Sequence, residues 1–175
     1  VSVTIFVKIL GEKIPSSQTA FLRYLFGTIF LLPIIINSFR GIKIKLINKF
    51  VLRSFFHSIG VSLWFYSMTV ITIAEVTAIG YLTPIFVCIG AIIFFNENIK
   101  GFRAFAITLS FIGAMIILRP GFQEIKLGQY SMLLAAFVFS FSYLMVKYLA
   151  DTKSSLEIVG FLSLFTTLFL TPLAL

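Results

Sequence analysis

The chain alternates long apolar stretches with short clusters of basic residues. Six stretches contain no Asp, Glu, Lys or Arg: Tyr24–Phe39, Ser54–Ala74, Val76–Asn96, Ala104–Leu118, Leu127–Val146 and Ile158–Leu175. A helix needs about 20 apolar residues to cross the ~30 Å hydrocarbon core of a bilayer, and the first stretch reaches this length if Arg23 alone interrupts it. The pattern therefore predicts six membrane-spanning helices, preceded by the end of another helix in Val1–Val7.

Two of these stretches adjoin each other with almost no polar break. Glu75 is the one charged residue in the 43 residues of Ser54–Asn96, a length that is twice what one span needs. The pattern therefore predicts a turn near Thr72–Glu75 and a tight helical hairpin. Ala104–Leu118 would cover only ~22 Å as a helix, and we count it as a span because flanking arginines can extend outward from its ends.

The composition narrows the class of protein. Hydrophobic residues make up 59% of the chain and charged residues 11%, whereas soluble domains have about 25% charged residues. This excludes a soluble globule, a disordered segment and a nucleic-acid-binding domain. The 22 phenylalanines are spread over the whole length, which excludes a soluble domain with a single anchor. The sequence predicts an all-α polytopic membrane protein.

Basic residues are unequally divided between the two ends of the predicted spans. One side has nine of them, in the predicted loops that follow Tyr24–Phe39, Val76–Asn96 and Leu127–Val146: Arg40, Lys43, Lys45, Lys49, Arg53, Lys100, Arg103, Lys147 and Lys153. The other side has four: Lys8, Lys13, Arg119 and Lys126. Since lysine and arginine are enriched in cytoplasmic loops, we predict that the side with nine faces the cytoplasm.

An internal repeat relates the two ends of the chain. Shifting the sequence by 139 positions aligns Val7–Pro33 with Val146–Pro172 without a gap, and ten of the 27 aligned positions are identical. The identical pairs include Lys8 with Lys147, Thr28 with Thr167, and Pro33 with Pro172. The repeat spans five helices, so its second copy would enter the membrane inverted, as in many secondary transporters. Coincidence among Phe-rich and Leu-rich spans is the alternative.

Short motifs also follow one another along the chain in a particular order. They are Ile14-Pro15-Ser16-Ser17, Phe21-Leu22-Arg23-Tyr24, Leu31-Leu32-Pro33, Leu63-Trp64-Phe65-Tyr66, Ile73-Ala74-Glu75-Val76-Thr77-Ala78, Tyr81-Leu82-Thr83-Pro84-Ile85-Phe86, Asn96-Glu97, Gly113 and Leu118-Arg119-Pro120-Gly121. The series resembles an EamA domain of the drug/metabolite transporter superfamily over about Lys8–Pro120, with a second domain starting at Gly128. The chain departs from the family at Asn96, where members often have glycine.

The resemblance implies a fold and a domain organisation. It implies a ten-helix inverted-repeat transporter with both termini in the cytoplasm, of which about six to seven helices are present. Residues 1–120 would form the first EamA repeat, with a truncated first helix, and residues 127–175 would begin the second. Because three helices of the second repeat are absent, we expect the chain to be a fragment of a longer polytopic protein.

The resemblance also implies a function. It implies a multi-pass secondary transporter of a small organic metabolite, expected in the bacterial inner membrane, with no cofactor and with a homodimer left open. The stretch Phe94–Ile99 is similar to family members that import S-adenosylmethionine, while amino acids and related solutes stay open as substrates. A structural or accessory membrane protein is the alternative. An intramembrane enzyme is disfavoured, since His57 lies roughly 140° around the helix from Ser62, and one histidine cannot form a His-based metal cluster.

Candidate residues for the substrate pathway lie on the hairpin. Thr77, Tyr81, Pro84 and Cys88 share one helix face by spacing, and Pro84 removes the backbone bond to the Gly80 carbonyl. Irregular backbone at membrane depth is tolerated where it lines a cavity or packs on protein. We therefore predict a pathway lined on the hairpin by Trp64, Tyr81, Thr83 and Pro84, with Ser140 and Tyr143 on the opposite side. A packing kink at Pro84 is the alternative.

Three basic or titratable residues complete the predicted pathway: His57, Arg23 and Lys147. Ionisable residues at membrane depth are usually functional. We expect Arg23 to pair with a carboxylate or a free carbonyl. His57 could relay protons or face lipid headgroups, and Lys147 could line the cavity or extend to the membrane surface as Lys8 would. Glu75 and Glu97 are expected to act as a helix cap and a loop-charge partner.

Overall fold

A computed structural model describes residues 15–39, 42–98, 101–118 and 126–174, and every regular element in these ranges is helical. The helices are α1 (Ser16–Phe39), α2 (Ile44–Val70), α3 (Ile73–Gly80), α4 (Thr83–Phe95), α5 (Gly101–Leu118), α6 (Leu127–Ala150) and α7 (Ser155–Ala174). If α3 and α4 are taken as one interrupted span, the described ranges contain six helical segments, which confirms the predicted all-α class. Val1–Val7 and Lys8 lie outside the described residues.

Within the described residues, four segments are long and apolar enough to cross a bilayer. They are Ser16–Phe39, Ile73–Phe95, Leu127–Ala150 and Ser155–Ala174, and a shorter apolar helix covers Ala104–Ile116. Helix α2 has 27 residues and thus sufficient length, but its first turns carry basic side chains. These segments agree with a multi-pass membrane protein.

The start of α2 corrects one sequence expectation. Lys45, Lys49 and Arg53 were predicted to lie in a loop, yet α2 begins at Ile44 and contains all three. Lysine is a good helix former, and its ammonium group can stay in water while the stem covers apolar surface. Arg53 is buried, and its Nη1 donates to the carbonyl of Ile158 in α7 at 3.0 Å. The arginine therefore joins two helices instead of contributing a loop charge.

The turn between α2 and α3 lies where it was predicted, but the tight contact predicted between the two arms of the hairpin is wrong, because both arms pack chiefly against α6 and contact each other little. Helix α2 ends at Val70, and Thr72 is the N-cap of α3 in a capping box with Glu75. The Thr72 hydroxyl accepts from the Glu75 amide at 3.2 Å, and the Glu75 carboxylate accepts from the Thr72 amide at 2.9 Å. Such reciprocal bonds satisfy two donors that the helix start would leave free. Gln129 of α6 donates to the same carboxylate at 2.6 Å, which fixes the turn against the bundle.

The helix is interrupted just before Pro84, although Tyr81 and Leu82 keep right-handed helical backbone angles. Helix α3 ends at Gly80, Tyr81 and Leu82 form a turn, and Pro84 lies in the first turn of α4. Proline is tolerated there because its missing amide would have no partner within the helix. The carbonyl of Tyr81 accepts a hydrogen bond from Ser110 of α5 at 3.2 Å.

The end of α4 explains the departure at Asn96. Asn96 is the C-cap and has left-handed backbone angles, φ 51° and ψ 36°. Its amide donates to the carbonyl of Ile92 at 3.0 Å. Glycine adopts this conformation most readily, and asparagine is among the few other residues that tolerate it. Asn96 therefore supplies the backbone geometry of the glycine that the resemblance leads us to expect at this position.

Helices α1 and α7 pack antiparallel, and they are the helices that the 139-residue shift aligns with each other. Gln18 at the start of α1 donates to the carbonyl of Ala174 at the end of α7, and Ser38 donates to Glu157 at the opposite end. Midway, the hydroxyl oxygens of Thr28 and Thr167 lie 3.2 Å apart. Residues related by a two-fold axis touch each other only at that axis. The contact agrees with the predicted inverted repeat, whose boundaries stay a prediction.

The described part of the chain has two apolar core clusters. One contains Phe65, Met68, Val76 and Met132 and lies where α2, α3 and α6 meet. The other joins α2 to α7 through Phe50 and Phe161, whose ring centroids are 4.7 Å apart. Helix α2 is therefore the central element, and it positions the side chains of the site described next.

Candidate functional site

Two adjoining cavities open between the hairpin and α6. The first, which we name the aromatic cavity, has a volume of about 400 Å³. Its main polar and aromatic lining residues are Arg23, Tyr24, His57, Trp64, Thr77, Tyr81, Phe139 and Tyr143. The second, which we name the α4 cavity, has a volume of about 640 Å³. Its lining includes Pro84, Cys88, Phe95, Glu97 and Lys147.

The helix break lies at the junction of the two cavities. Gly80, Thr83 and Tyr143 line both of them. The helix face predicted from the spacing of Thr77, Tyr81, Pro84 and Cys88 is therefore divided between the cavities. Thr77 and Tyr81 line the aromatic cavity, and Pro84 and Cys88 line the α4 cavity. An interruption of helical hydrogen bonding at membrane depth is tolerated where it lines a cavity or is buried in protein, and here the interruption borders both cavities.

Arg23 contacts aromatic rings within the described part of the chain. Its guanidinium carbon lies 5.5 Å from the ring centroid of Tyr24 and 5.5 Å from that of Trp64. A guanidinium over an aromatic face is attracted to the negative face of the ring. The expected carboxylate or carbonyl partner is not found among the described residues. Arg23 therefore brings a positive charge to the aromatic cavity while the Trp64 ring supports it.

His57 is buried in the wall of the aromatic cavity and retains only 7% of its exposed area. Its Nε2 lies 2.8 Å from the hydroxyl of Tyr24, and its Nδ1 lies 3.4 Å from the hydroxyl of Ser142. A buried polar ring needs such partners to offset the loss of water. His57 therefore joins α1, α2 and α6 and does not face lipid headgroups.

Aromatic rings form one side of the aromatic cavity. The ring of Phe139 lies 6.2 Å from that of Tyr143 in a stacked arrangement, 6.4 Å from Trp64 and 5.1 Å from His57. Gly60 of α2 faces the same ring, since a Cβ at this glycine would lie 2.8 Å from Cδ1 of Phe139. The glycine therefore permits the close approach of α2 and α6 that holds Phe139 against the cavity.

The α4 cavity has a charged pair in its lining. Lys147 forms an ion pair with Glu97, and its Nζ also lies 4.1 Å from the ring centroid of Phe95. The side chains of Lys147 and Glu97 are partly exposed. This pairing agrees with the expectation that Glu97 acts as a partner for a nearby basic residue.

The structure brings most of the predicted pathway residues together. Those on the aromatic cavity are Arg23, His57, Trp64, Tyr81, Thr83 and Tyr143. Those on the α4 cavity are Thr83, Pro84, Tyr143 and Lys147. Ser140 lines neither cavity, because it is buried and its hydroxyl donates to the carbonyl of Phe137 at 2.6 Å. The transport role of these residues stays a prediction.

Two aromatic residues that line the aromatic cavity were not singled out in the sequence. Tyr24 follows Arg23 within a quoted motif, and Phe139 is one of 22 phenylalanines. The spacing of Phe139 and Tyr143, four positions apart on α6, places both on one helix face. That spacing was a signal, but it does not separate a cavity face from a packing face.

The family and the relatives that match this chain are all described as transporters. The model of the EamA-like transporter family matches residues 1–119. The chain is 27% identical over 170 residues to a protein of Rickettsia prowazekii named S-adenosylmethionine uptake transporter, covering 96% of this chain and 58% of the relative. It is 30% identical over 165 residues to a protein of Vibrio cholerae named riboflavin transporter, covering 93% and 55%. A protein of Brucella anthropi with the same name is 28% identical over 155 residues, covering 88% and 55%.

The chain thus spans somewhat more than half the length of the curated relatives it matches. No solved structure gives a significant match.

Proposed function

The chain belongs to the EamA-like transporter family, and we propose that the full-length protein carries a small organic metabolite across the bacterial inner membrane. It would act as a transporter and not as an enzyme or an accessory subunit. Residues 1–120 would form the first repeat and residues 127–175 the start of the second. The Thr28–Thr167 contact between equivalent positions supports this division.

The two adjoining cavities support this proposal most directly. Small-molecule sites are concave, mostly apolar and about 300–1,000 Å³ in volume, with a few polar groups that orient the ligand. The two cavities have volumes in this range and share three lining residues at a helix break. This arrangement suits a solute that moves past the break between the two cavities.

The lining favours a solute with a flat ring system. Trp64, Phe139 and Tyr143 present aromatic faces or edges to the aromatic cavity, and aromatic rings stack favourably on one another. Arg23 adds a fixed positive charge that favours a carbonyl or carboxylate on the solute. We propose a nitrogen heteroaromatic compound with an acceptor group, which is chemistry shared by S-adenosylmethionine and riboflavin, the solutes in the names of the relatives.

Uptake into liposomes tests this proposal. Purified full-length protein would be reconstituted and offered labelled S-adenosylmethionine, riboflavin and a panel of amino acids, with protein-free liposomes as the control. We expect saturable uptake of at least one heteroaromatic solute, and an excess of the same unlabelled solute should reduce the uptake of label. If no solute enters faster than into protein-free liposomes, the transport proposal is wrong. If only amino acids enter, transport stands and the ring-stacking proposal is wrong.

A further inference from the structure

A third cavity lies at the end of the bundle where the start of α2 meets the α6–α7 loop. Its volume is about 430 Å³, and it shares no lining residue with the aromatic or α4 cavity. We name it the lysine cavity, and its lining residues are Ile42, Lys43, Lys45, Leu46, Lys49, Thr152 and Lys153. Four of these seven residues are lysines, and no carboxylate is among them.

Most of this positive charge is not neutralised within the described part of the chain. Lys153 forms an ion pair of 2.7 Å with Glu157. The Lys49 ammonium lies 4.7 Å from the ring centroid of Tyr148, a contact that leaves its charge in place. Lys43 and Lys45 are exposed. Three ammonium groups therefore border one concavity without an acidic partner there, and an anion would reduce their mutual repulsion.

The surroundings of the lysine cavity favour a ligand that is also apolar. Ile42 and Leu46 are part of its lining, and the neighbouring Ile44 retains 78% of its exposed area. The cavity lies at the ends of α6 and α7, two helices that are long and apolar enough to span a bilayer. It belongs to the side predicted to be cytoplasmic, where the leaflet of bacterial and other cell membranes carries anionic lipids.

We propose that the lysine cavity binds the phosphate-bearing headgroup of an anionic lipid from the cytoplasmic leaflet. Lysine binds phosphate as a compact point charge with three donors. The lysines surround the phosphate, and the first residues of α2 lie along the acyl chains through Ile44. The site is separate from the solute pathway and binds lipid whether or not a solute is present.

Lipid binding to the purified full-length protein tests the proposal. The protein in detergent would be titrated with phosphatidylglycerol, with phosphatidylcholine of the same acyl chains, or with glycerol phosphate, and bound lipid would be counted by native mass spectrometry. The variant Lys43→Gln/Lys45→Gln changes two exposed lysines at the start of α2. The control Lys126→Gln changes the corresponding N-cap lysine of α6, at the other end of that helix.

We expect the protein to prefer phosphatidylglycerol to phosphatidylcholine. The double variant should weaken phosphatidylglycerol binding by about twentyfold or more, since each lysine near an anionic lipid contributes about fivefold, while Lys126→Gln should not change it. The single variant Lys45→Gln, with helical content checked by circular dichroism, should lose about fivefold. Equal binding of both lipids, or an equal loss in Lys126→Gln, would overturn the proposal. If millimolar glycerol phosphate competes for the site and neither lipid is preferred, the site binds a free phosphate compound and the lipid proposal is wrong.

Discussion

Replacing Trp64 with alanine is expected to reduce solute uptake by about tenfold or more. The Trp64 ring lines the aromatic cavity and lies under the guanidinium of Arg23. Its loss removes a stacking surface for the solute, and base–aromatic stacking is worth about 1–3 kcal/mol by alanine substitution. It also removes the ring that supports Arg23, so both the flat ring and the acceptor group of the solute would be held less well.

The matched control is Tyr66→Ala on the same helix. Tyr66 lies two residues further along α2, on a different face, and it lines neither cavity. Initial uptake rates would be measured in liposomes at equal amounts of reconstituted protein. Trp64→Phe should retain part of the activity, because phenylalanine keeps an aromatic face. Equal uptake by Trp64→Ala and Tyr66→Ala would show that the Trp64 ring does not contact the solute.

Replacing Gly60 with alanine is expected to destabilise the protein by about 1–3 kcal/mol, the usual cost of overpacking a core. The new methyl group would lie 2.8 Å from Cδ1 and 2.9 Å from Cε1 of Phe139. That is closer than van der Waals contact allows, and the Phe139 ring also packs against the rings of His57 and Tyr143. The steric cost should therefore exceed the usual gain of ~0.5–1 kcal/mol from glycine to alanine in a helix.

Gly113→Ala in α5 is the control, because among the described residues no atom outside the adjoining helix backbone lies within 4 Å of the Cβ position there. Thermal unfolding in detergent should show a lower midpoint for Gly60→Ala and an unchanged or higher midpoint for Gly113→Ala. The double variant Gly60→Ala/Phe139→Leu should lose less than the sum of the two single variants, since the two sites are in contact. A midpoint for Gly60→Ala equal to that of Gly113→Ala would contradict the tight contact between α2 and α6.

The parts of the fold that sequence predicted follow from length and from backbone chemistry. An apolar run twice the length of a span has to turn, and the turn lies at Thr72 as predicted. Proline lacks an amide donor, so the break before Pro84 was also predictable. The start of α2 was not predictable, because lysines at a membrane surface, such as Lys45 and Lys49, give the same sequence pattern whether they lie in a loop or in the first turns of a helix.

The candidate site was predictable only in part. Helical spacing placed Tyr81, Trp64 and Tyr143 on faces that could meet, and the structure has all three on the aromatic cavity. The same spacing put Ser140 with Tyr143, but a serine within a helix can donate to a carbonyl of the preceding turn, as Ser140 does to Phe137. Burial of Arg53 against Ile158 depends on a contact between α2 and α7 that no local pattern encodes.

We propose that the hairpin, its helix break and α6 enclose a water-filled solute pathway. Cys88 is half-buried in the lining of the α4 cavity, four residues after Pro84. A small, charged, water-soluble thiol reagent applied to intact membranes should therefore modify Cys88, and the transported solute should slow the reaction. Cys88→Ser in the full-length protein identifies the label at this position, and denatured protein gives the maximum extent. If Cys88 reacts only after denaturation, this face packs against lipid or protein and the pathway assignment is wrong.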